Sequence, residues 1–517
     1  MKDIIKLAFR NLREHKSKTI ILCMFLTFGI AIVIAGNSFL ESINRGLEKD
    51  FRANYTADIV IAPENPKNAV IDLFGVNSMD ISGEVPLLPS LPDTEKALEV
   101  IKNHEGIKST TRLISAQVIV GEYNENNEFD LSALTEKDDL SLDDIPISLL
   151  FAGDYDTYWD TLSEVNFIEG TYPAPGTTEI IIDTRVADAY ERLFGKKLHV
   201  GDKVFIATMQ MTLRDATVSG IFKPSNEHSA MFQIIYCNPD LARTFAKLTY
   251  ASNIENELPD SVDLGLSAKV SSEDFSDDDL FSGDDIFFED TGSTDILSSS
   301  KIDFDNILGD TSLRDQLNQT DNGAWNFIIA RAENPLAANK LILELMKEYK
   351  EAGIKVQVMG WKQAAYSYTG SVAGIGLVFN ILIIILAVVV FIIIMNTMVV
   401  SVFERTREIG TMRAIGASQK FVKRLFFSEA MIITISSSVF GIIISFIAMG
   451  IFNSFHIEIE NSIAKMILGG GLLSFTPTVT IVVTTVLIAL AGSYLSALYP
   501  VKSALKITPA KALASGE

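Results

Sequence analysis

The residues of this chain that could carry out chemistry are few and lie far apart. A phosphate-binding loop needs a glycine-rich turn followed by Lys and a hydroxyl residue, and Gly195-Lys196-Lys197 lacks both the upstream glycine and the hydroxyl group. The sequence contains neither a His-Glu-x-x-His nor a Gly-x-Ser-x-Gly motif. Its five histidines stand alone, at His15, His104, His199, His228 and His456. We therefore assign no catalytic, cofactor-binding or metal-binding residue, and we expect that this chain does not hydrolyse ATP through a P-loop of its own.

One group of charged residues does lie together, in a segment that follows a long apolar run. Residues 395–418 read MNTMVVSVFERTREIGTMRAIGAS. This pattern predicts a charged helix that leaves the apolar run, then a turn marked by glycine, then an amphipathic stretch at residues 419–427. Such charges are common in any cytoplasmic loop of a membrane protein, so they do not identify a function by themselves.

The elements that must position this segment are long apolar stretches. Hydrophobic residues make up 48% of the 517 residues and the mean hydropathy is +0.26, which is high for a soluble protein of this size. A transmembrane helix needs about 20 residues with few charges. The sequence predicts transmembrane helices at residues 19–40, 370–403, 430–457 and 477–500. The second stretch is longer than a bilayer requires, so its surplus could form a stalk. The alternative is that the region of Gly370, Gly374 and Gly376 forms a flexible entry to the helix.

The positions of Lys and Arg predict the orientation of these helices. Basic residues gather at residues 1–18, 404–427 and 501–517, and all three segments are expected in the cytoplasm. The predicted fold is therefore membrane α-helical, with four transmembrane helices, N-in/C-in, and a large extracytoplasmic α+β domain at residues 41–362. Residues 1–18 have the pattern of an amphipathic segment on the inner leaflet. A cleaved secretory signal is the alternative for the first apolar stretch.

The extracytoplasmic segment contains the order strand, helix, strand twice. The predicted elements are residues 57–62, 94–103 and 109–121, and later residues 325–331, 335–352 and 354–359. Between them, short strands at residues 178–183, 198–208 and 211–222 predict a small β subdomain. Apolar residues at helical spacing in residues 41–54 predict that the first helix continues out of the lipid as a stalk beside the second.

Charge excludes some classes of partner and mechanism. The formal net charge is −22, which makes nucleic acid an unsuitable partner. The apolar stretches hold almost no ionisable residue at depth, which argues against an ion-coupled transporter with a relay inside the membrane. The acidic residues 271–310 lack the spacing of an EF-hand loop, so we predict a disordered insertion rather than a calcium site.

The loop at residues 404–418 resembles that of the MacB/FtsX-like permease family of ABC transporters, which includes lipoprotein-releasing permeases. The start LAFRNL (residues 7–12) is similar to the N-terminal segment of that family, and the tail YPVKSA (residues 499–504) with TPAKAL (residues 508–513) is similar to its closing pattern. The resemblance is weaker between residues 60 and 360. It implies residence in a bacterial inner (plasma) membrane, with a MacB-like domain outside.

The same resemblance implies that the loop is a coupling helix that docks on a separate ABC ATPase. On that basis the expected ATPase-coupling residues are Glu404, Arg405, Arg407, Glu408, Ile409, Met412, Arg413 and Ile415. ATP and Mg would be bound by the partner ATPase, with no cofactor in this chain. Membrane lipid surrounds the helices, and a second permease subunit is expected, as a homodimer or a heterodimer. Small residues on the third and fourth apolar stretches fit either packing within one chain or this dimer face.

The resemblance implies a mechanotransmission permease that couples ATP hydrolysis to extracytoplasmic work. The expected work is lipoprotein release or extrusion of a peptide or hydrophobic substrate. An FtsX-like signalling regulator of an extracytoplasmic cell-wall hydrolase is the alternative from another class. A receptor that works without an ATPase is a third hypothesis and would require the loop resemblance to be accidental.

Overall fold

The computed structural model describes residues 2–14, 16–65, 69–78, 87–123, 129–130, 145–208, 212–223, 233–249, 319–457, 459 and 473–506. The predicted acidic insertion at residues 271–310 and the tail beyond Lys506 lie outside the described residues. The helices are α1 (Lys2–Glu14), α2 (Lys16–Asn54), α3 (Thr94–Lys102), α4 (Tyr158–Thr161), α5 (Thr184–Phe194), α6 (Pro239–Ala246), α7 (Ala338–Glu351), α8 (Trp361–Ala364), α9 (Tyr366–Glu404), α10 (Thr406–Ala414), α11 (Gln419–Ser454) and α12 (Val479–Lys506).

The strands belong to the part of the chain between α2 and α8. They are β1 (Ile59–Pro63), β2 (Ala69–Asp72), β3 (Gly75–Ser78), β4 (Ile107–Tyr123), β5 (Phe129–Asp130), β6 (Ile147–Gly153), β7 (Asn166–Gly170), β8 (Glu179–Asp183), β9 (Lys203–Ala207), β10 (Leu213–Lys223), β11 (Gln233–Cys237), β12 (Phe327–Ala332) and β13 (Val356–Gly360). The predicted strand, helix, strand order at each end of this region is confirmed, because β1, α3 and β4 fall on the first set and β12, α7 and β13 on the second.

Among the described residues, four helices are long and apolar enough to cross a membrane, namely α2 from Thr19, α9, α11, and α12 as far as Lys502. This finding rests on length and composition, so the number of spans and the N-in/C-in orientation stay predictions. The continuation of the first helix into residues 41–54 is confirmed, since α2 runs unbroken to Asn54. Gly370, Gly374 and Gly376, which the alternative of a flexible entry to the second stretch concerns, all lie within α9.

The outer domain is built on one large sheet with the strand order β13-β1-β12-β4-β6-β11-β8-β10-β7. Strand β4 connects its two halves: it pairs with β12 through residues 107–113, with β6 through residues 113–119, and with β9 at its end. At about 3.3 Å per residue, its 17 residues make a strand long enough to pair with several neighbouring strands in succession. The predicted small β subdomain is therefore part of the same sheet as the two flanking repeats.

Side chains alternate between two hydrophobic layers on this sheet, as strand geometry requires. In β1, Val60 and Ala62 point into a cluster that also contains the outer ends of α2 and α9, while Ile59 and Ile61 point into a cluster with α3 and α7. The first of these layers, which we call the basal core, lies where the long helices enter the domain. A separate hydrophobic cluster joins α2, α9, α10, α11 and α12 at the opposite end of the long helices.

Candidate functional site

The candidate site is the charged segment between α9 and α11, which contains α10. Helix α9 ends at Glu404 and α10 starts at Thr406, so Arg405 occupies the break between them. Gly416 ends the segment with φ of +101°, a conformation that favours glycine, while the amides of Gly416 and Ala417 bond back to Arg413 and Met412. Ser418 then caps α11 by accepting a hydrogen bond from the Phe421 amide at 3.2 Å. These caps give the segment a defined helix, turn, helix shape.

The structure divides the predicted coupling residues into an outward and an inward group. Glu404, Glu408 and Ile415 are exposed, Ile415 to 83%, and Met412 and Arg413 are half-buried. Their role as ATPase contacts stays a prediction, and the side chain of Arg407 lies outside the described part of the chain.

Arg405 and Ile409 form the inward group. Arg405 is 4% exposed and Ile409 is 1% exposed, so both side chains face the helices of their own chain. In this structure both side chains pack within the chain, and their role as ATPase contacts stays a prediction. A charge at a helix break can pair with a buried acid from another helix, and the local pattern of residues 404–413 does not show which of its charges will do so.

That acid is Glu429, on α11. Nη1 of Arg405 donates to Oε1 of Glu429 at 2.9 Å and to Oε2 at 3.1 Å, while Nε of Arg405 donates to Glu408 at 3.0 Å. Asn11 of α1 donates its amide to Oε1 of Glu429 at 2.8 Å. The guanidinium also lies 5.5 Å from the ring centre of Phe426. Burial makes a charge costly unless it is paired and hydrogen-bonded, and this arrangement meets both conditions.

Two long helices connect this segment to the outer domain. Met398 and Val402 of α9 belong to the same cluster as Ile409, whereas Tyr368 and Val372 at the other end of α9 belong to the basal core. Helix α2 packs in the same way. Leu22 and Leu26 belong to the cluster that contains Ile409, and Ile43, Leu47 and Phe51 belong to the basal core. Each helix therefore has packed side chains at both ends.

Polar contacts fix the outer ends of these helices. Asp72 of the β2–β3 hairpin accepts hydrogen bonds from the Ser367 amide, in the first turn of α9, at 2.8 Å and from the Phe74 amide at 3.0 Å. Burial raises the pKa of the Asp72 carboxyl, although these hydrogen bonds oppose the shift. At the end of α2, Arg52 donates from Nε to Asp58 at 2.7 Å, and Asp58 also accepts from the Ala332 amide at 2.8 Å. The basal core is thereby tied to both helices.

A groove opens between the outer ends of α2 and α9. Its volume is about 900 Å³, and its lining is mainly apolar with Asn37, Asn44, Asn380, Glu41 and Lys362 at intervals. A site of this size and composition can hold an extended apolar group while the polar residues contact a headgroup or a backbone. Within the described residues, no cluster of His, Cys, Asp and Glu has the arrangement of a metal site.

Two family models match the chain. The MacB-like periplasmic core domain matches residues 19–277, and the FtsX-like permease C-terminal domain matches residues 380–509, which include the whole candidate site. The two matches follow each other along the chain, with the periplasmic core model first and the permease model second.

Curated relatives share shorter regions with the chain. It is 49% identical over 74 residues to the ABC transporter permease YtrF of Bacillus subtilis (strain 168), which is 14% of this chain and 16% of that protein. It is 35% identical over 121 residues to the macrolide export ATP-binding/permease protein MacB of Mannheimia succiniciproducens, covering 23% and 17% of the two chains. It is 25% identical over 191 residues to the lipoprotein-releasing system transmembrane protein LolE of Haemophilus influenzae, covering 36% and 45%. The chain thus spans less than half the length of each of these three relatives.

Solved structures with a detectable likeness include the extracellular domain of the transporter YknZ from Gram-positive bacteria, at a TM-score of 0.25 and 13% identity, covering 53% of this chain and 97% of that one. The periplasmic region of MacB from Actinobacillus actinomycetemcomitans has a TM-score of 0.26 and 11% identity, covering 62% and 94%. Family membership rests instead on the periplasmic core model, which matches half of the chain, together with the permease model that follows it. The chain belongs to the MacB/FtsX-like family of ABC transporter permeases.

Proposed function

We propose that this chain is the permease subunit of a mechanotransmission ABC system, in which a separate ATPase moves α10 and the long helices carry that movement to the outer domain. The observation that carries the proposal is the continuity of α2 and α9. Each is an unbroken helix of 39 residues whose inner end belongs to the hydrophobic cluster that contains Ile409 of α10 and whose outer end belongs to the basal core.

The dimensions support transmission over this distance. At about 1.5 Å per residue, each helix is about 58 Å long, whereas the apolar core of a bilayer is about 30 Å thick. Roughly half of each helix therefore extends beyond the lipid as a stalk. A helix held by packed side chains at both ends transmits displacement, because close-packed interiors deform little.

The ATPase is proposed to be a separate chain. The sequence offers no P-loop, and the relatives YtrF and LolE carry the words permease and transmembrane protein in their names, whereas MacB of Mannheimia succiniciproducens is named an ATP-binding/permease protein. Two permease chains, identical or different, would pair around two ATPase subunits. We propose residence in a bacterial inner membrane with both termini in the cytoplasm.

The proposed substrate is a lipoprotein or another peptide or molecule with a large apolar part. The apolar groove between α2 and α9 supports this class, because its lining includes residues around the predicted outer end of the first span and also offers polar side chains. Release or extrusion would follow when the stalks move and reshape the groove. The alternative, a signalling regulator of a cell-wall hydrolase, uses the same coupling segment and differs only in what the outer domain contacts.

The test is affinity purification from native membranes in mild detergent, followed by mass spectrometry. We compare the intact chain with Ile415→Asp, on the outward face of the coupling segment, and with Leu336→Asp as a matched control. Leu336 is 93% exposed in the outer domain, so the control introduces the same charge at an equally exposed apolar position far from the coupling segment.

We expect an ABC ATPase to copurify with the intact chain and with Leu336→Asp, and to fall by about 30-fold with Ile415→Asp, which corresponds to the loss of a contact worth about 2 kcal/mol. Absence of an ATPase from the intact chain would show that the proposed function is wrong. If Ile415→Asp recovers as much ATPase as the intact chain, the only conclusion is that Ile415 is not part of the docking face. The remaining bands would separate the alternatives, since lipid-modified cargo supports transport and a cell-wall hydrolase supports signalling.

The proposed orientation is tested by labelling intact cells with a membrane-impermeant maleimide. Cysteines are introduced at Lys340, exposed on α7, and at Ala414, exposed on α10. We expect labelling at position 340 and none at position 414 until the cells are opened. Labelling of position 414 in sealed cells would place the coupling segment outside and contradict the proposed topology.

A further inference from the structure

Glu429 is a buried acid that brings together three elements of the chain. Its side chain is 5% exposed, and its carboxylate accepts hydrogen bonds from Asn11 of α1 and from Arg405 at the break between α9 and α10. Asn11 lies 418 residues from Glu429 in the sequence, and Arg405 lies 24 residues from it. An unpaired carboxylate at such a site would strongly disfavour folding, so both contacts contribute to holding the three elements in place.

The contact from Arg405 lies at the point where α10 leaves α9. Arg405 occupies the single residue between the two helices, and its carbonyl accepts the Ile409 amide of α10 at 3.0 Å. Its guanidinium simultaneously holds Glu429 on α11 and Glu408 on α10. A rotation of α10 about this break must therefore either carry α11 with it or separate the ion pair.

The contact from Asn11 extends the same connection to α1. Ala8, one turn before Asn11, is completely buried, which indicates close packing of α1 at this position. Ile5 and Phe9, on a different side of α1, are exposed. Displacement of Glu429 would therefore also move a helix that lies outside the set of long apolar helices.

We propose that Glu429 is a positioning residue for the coupling segment: through Arg405 and Asn11 it makes α10, α11 and α1 move as one unit when the ATPase displaces α10. The inference rests on the proposed function and names the residue on which its transmission step depends. An ion pair in which one guanidinium nitrogen contacts both carboxylate oxygens suits this role better than an apolar contact of the same volume, because its geometry is directional and it is either made or broken.

The test uses the full chain in complex with the ATPase that copurifies with it. Hydrogen exchange measured by mass spectrometry compares the complex with and without Mg-ATP and orthovanadate, and the readout is the nucleotide-dependent change in peptides from the outer ends of α2 and α9. The variants are Glu429→Gln, the charge exchange Arg405→Glu with Glu429→Arg, and Asn11→Ala, which removes one contact without leaving a buried charge unpaired. Lys420→Gln is the matched control, since Lys420 is exposed at the start of α11.

We expect Glu429→Gln to retain a folded outer domain while the nucleotide-dependent exchange falls by about 5-fold or more, within the range typical of coupling between distant sites. Asn11→Ala should show a smaller loss, Lys420→Gln none, and the charge exchange should restore part of the response. A purely structural role would lower the Tm of the variants but leave the nucleotide-dependent exchange of the folded, ATPase-bound complexes unchanged.

A folded, ATPase-bound Glu429→Gln complex that keeps the full response would overturn this inference and leave the proposed function standing. If Glu429→Gln does not fold, Asn11→Ala decides in the same way: a reduced response supports the inference and a full response overturns it. If the intact chain captures no ATPase, the proposed function fails and the inference fails with it.

Discussion

Phe51 provides a direct test of whether α2 is built into the outer domain. It lies near the end of the 39-residue helix, is 1% exposed, and contacts four aromatic rings, with centroid distances of 5.4 Å to Tyr55, 5.8 Å to Phe74, 6.4 Å to Trp361 and 5.6 Å to Tyr368. Replacing a buried Phe by Ala costs about 3–5 kcal/mol. Because aromatic pairs add about 0.5–1.5 kcal/mol each beyond burial, we expect Phe51→Ala to lie at the upper end, near 5 kcal/mol.

The assay is thermal unfolding of the detergent-solubilised full chain, followed by intrinsic tryptophan fluorescence. All three tryptophans, Trp159, Trp325 and Trp361, belong to the outer domain, and Trp361 stacks on Phe51 itself. For a domain of this size about 1 kcal/mol lowers Tm by about 2–4 °C, so we expect a decrease of about 10–20 °C. Leu336→Ala, at an exposed position, should change Tm by about 1–2 °C at most. A decrease of less than about 3 °C for Phe51→Ala would refute the conclusion that the stalk is part of the basal core.

Two further predictions concern the junctions of the long helices. Because burial raises the folded-state pKa of Asp72, its contribution to stability is complete below the unfolded pKa and is lost as pH rises through the folded value. Asp72→Asn should therefore flatten the fall in outer-domain Tm with rising pH; an unchanged slope would contradict this. A Cβ at Gly36 would lie 1.7 Å from Cζ of Phe379, so Gly36→Ala should destabilise the pair of helices α2 and α9 by about 1–3 kcal/mol. The measurement is the heat-induced loss of the monodisperse peak of the protein. Phe379→Ala should relieve the destabilisation, and additive effects of the two substitutions would exclude the contact.

The sequence predicted most elements of the outer domain because their periodicity is strong. Strand β1 alternates between two apolar layers, and α7 buries Leu341 and Leu345 at helical spacing. The connection between the two halves was not predictable in the same way. Nothing in the local pattern of residues 107–123 indicates that β4 exchanges its partners along its length, since register depends on pairing with distant strands.

The candidate site was predicted in its position but not in the direction of its side chains. The loop pattern correctly marked the segment between α9 and α11 as charged and helical, and Ile415 and Glu408 are exposed, while their docking role stays a prediction. The prediction could not separate them from Arg405, because the charges in residues 404–413 follow each other too closely for amphipathic periodicity to assign an inward and an outward side.

A signal for the inward arginine was nevertheless present in the position of Glu429. The third apolar stretch was predicted to start at residue 430, so this acid was placed just outside it, whereas α11 is one continuous helix from Gln419 to Ser454. An acid within one turn of an apolar stretch, on a helix that buries Phe426 and Ile433 beside it, must find a cation or lose its charge. The nearest basic segment, residues 404–427, contains six basic residues, and Arg405 is one of them. The cost of burying a charge therefore predicts from the sequence that Glu429 needs a cation, and the structure identifies this cation as Arg405. Substituting either partner alone should then be more harmful than exchanging both.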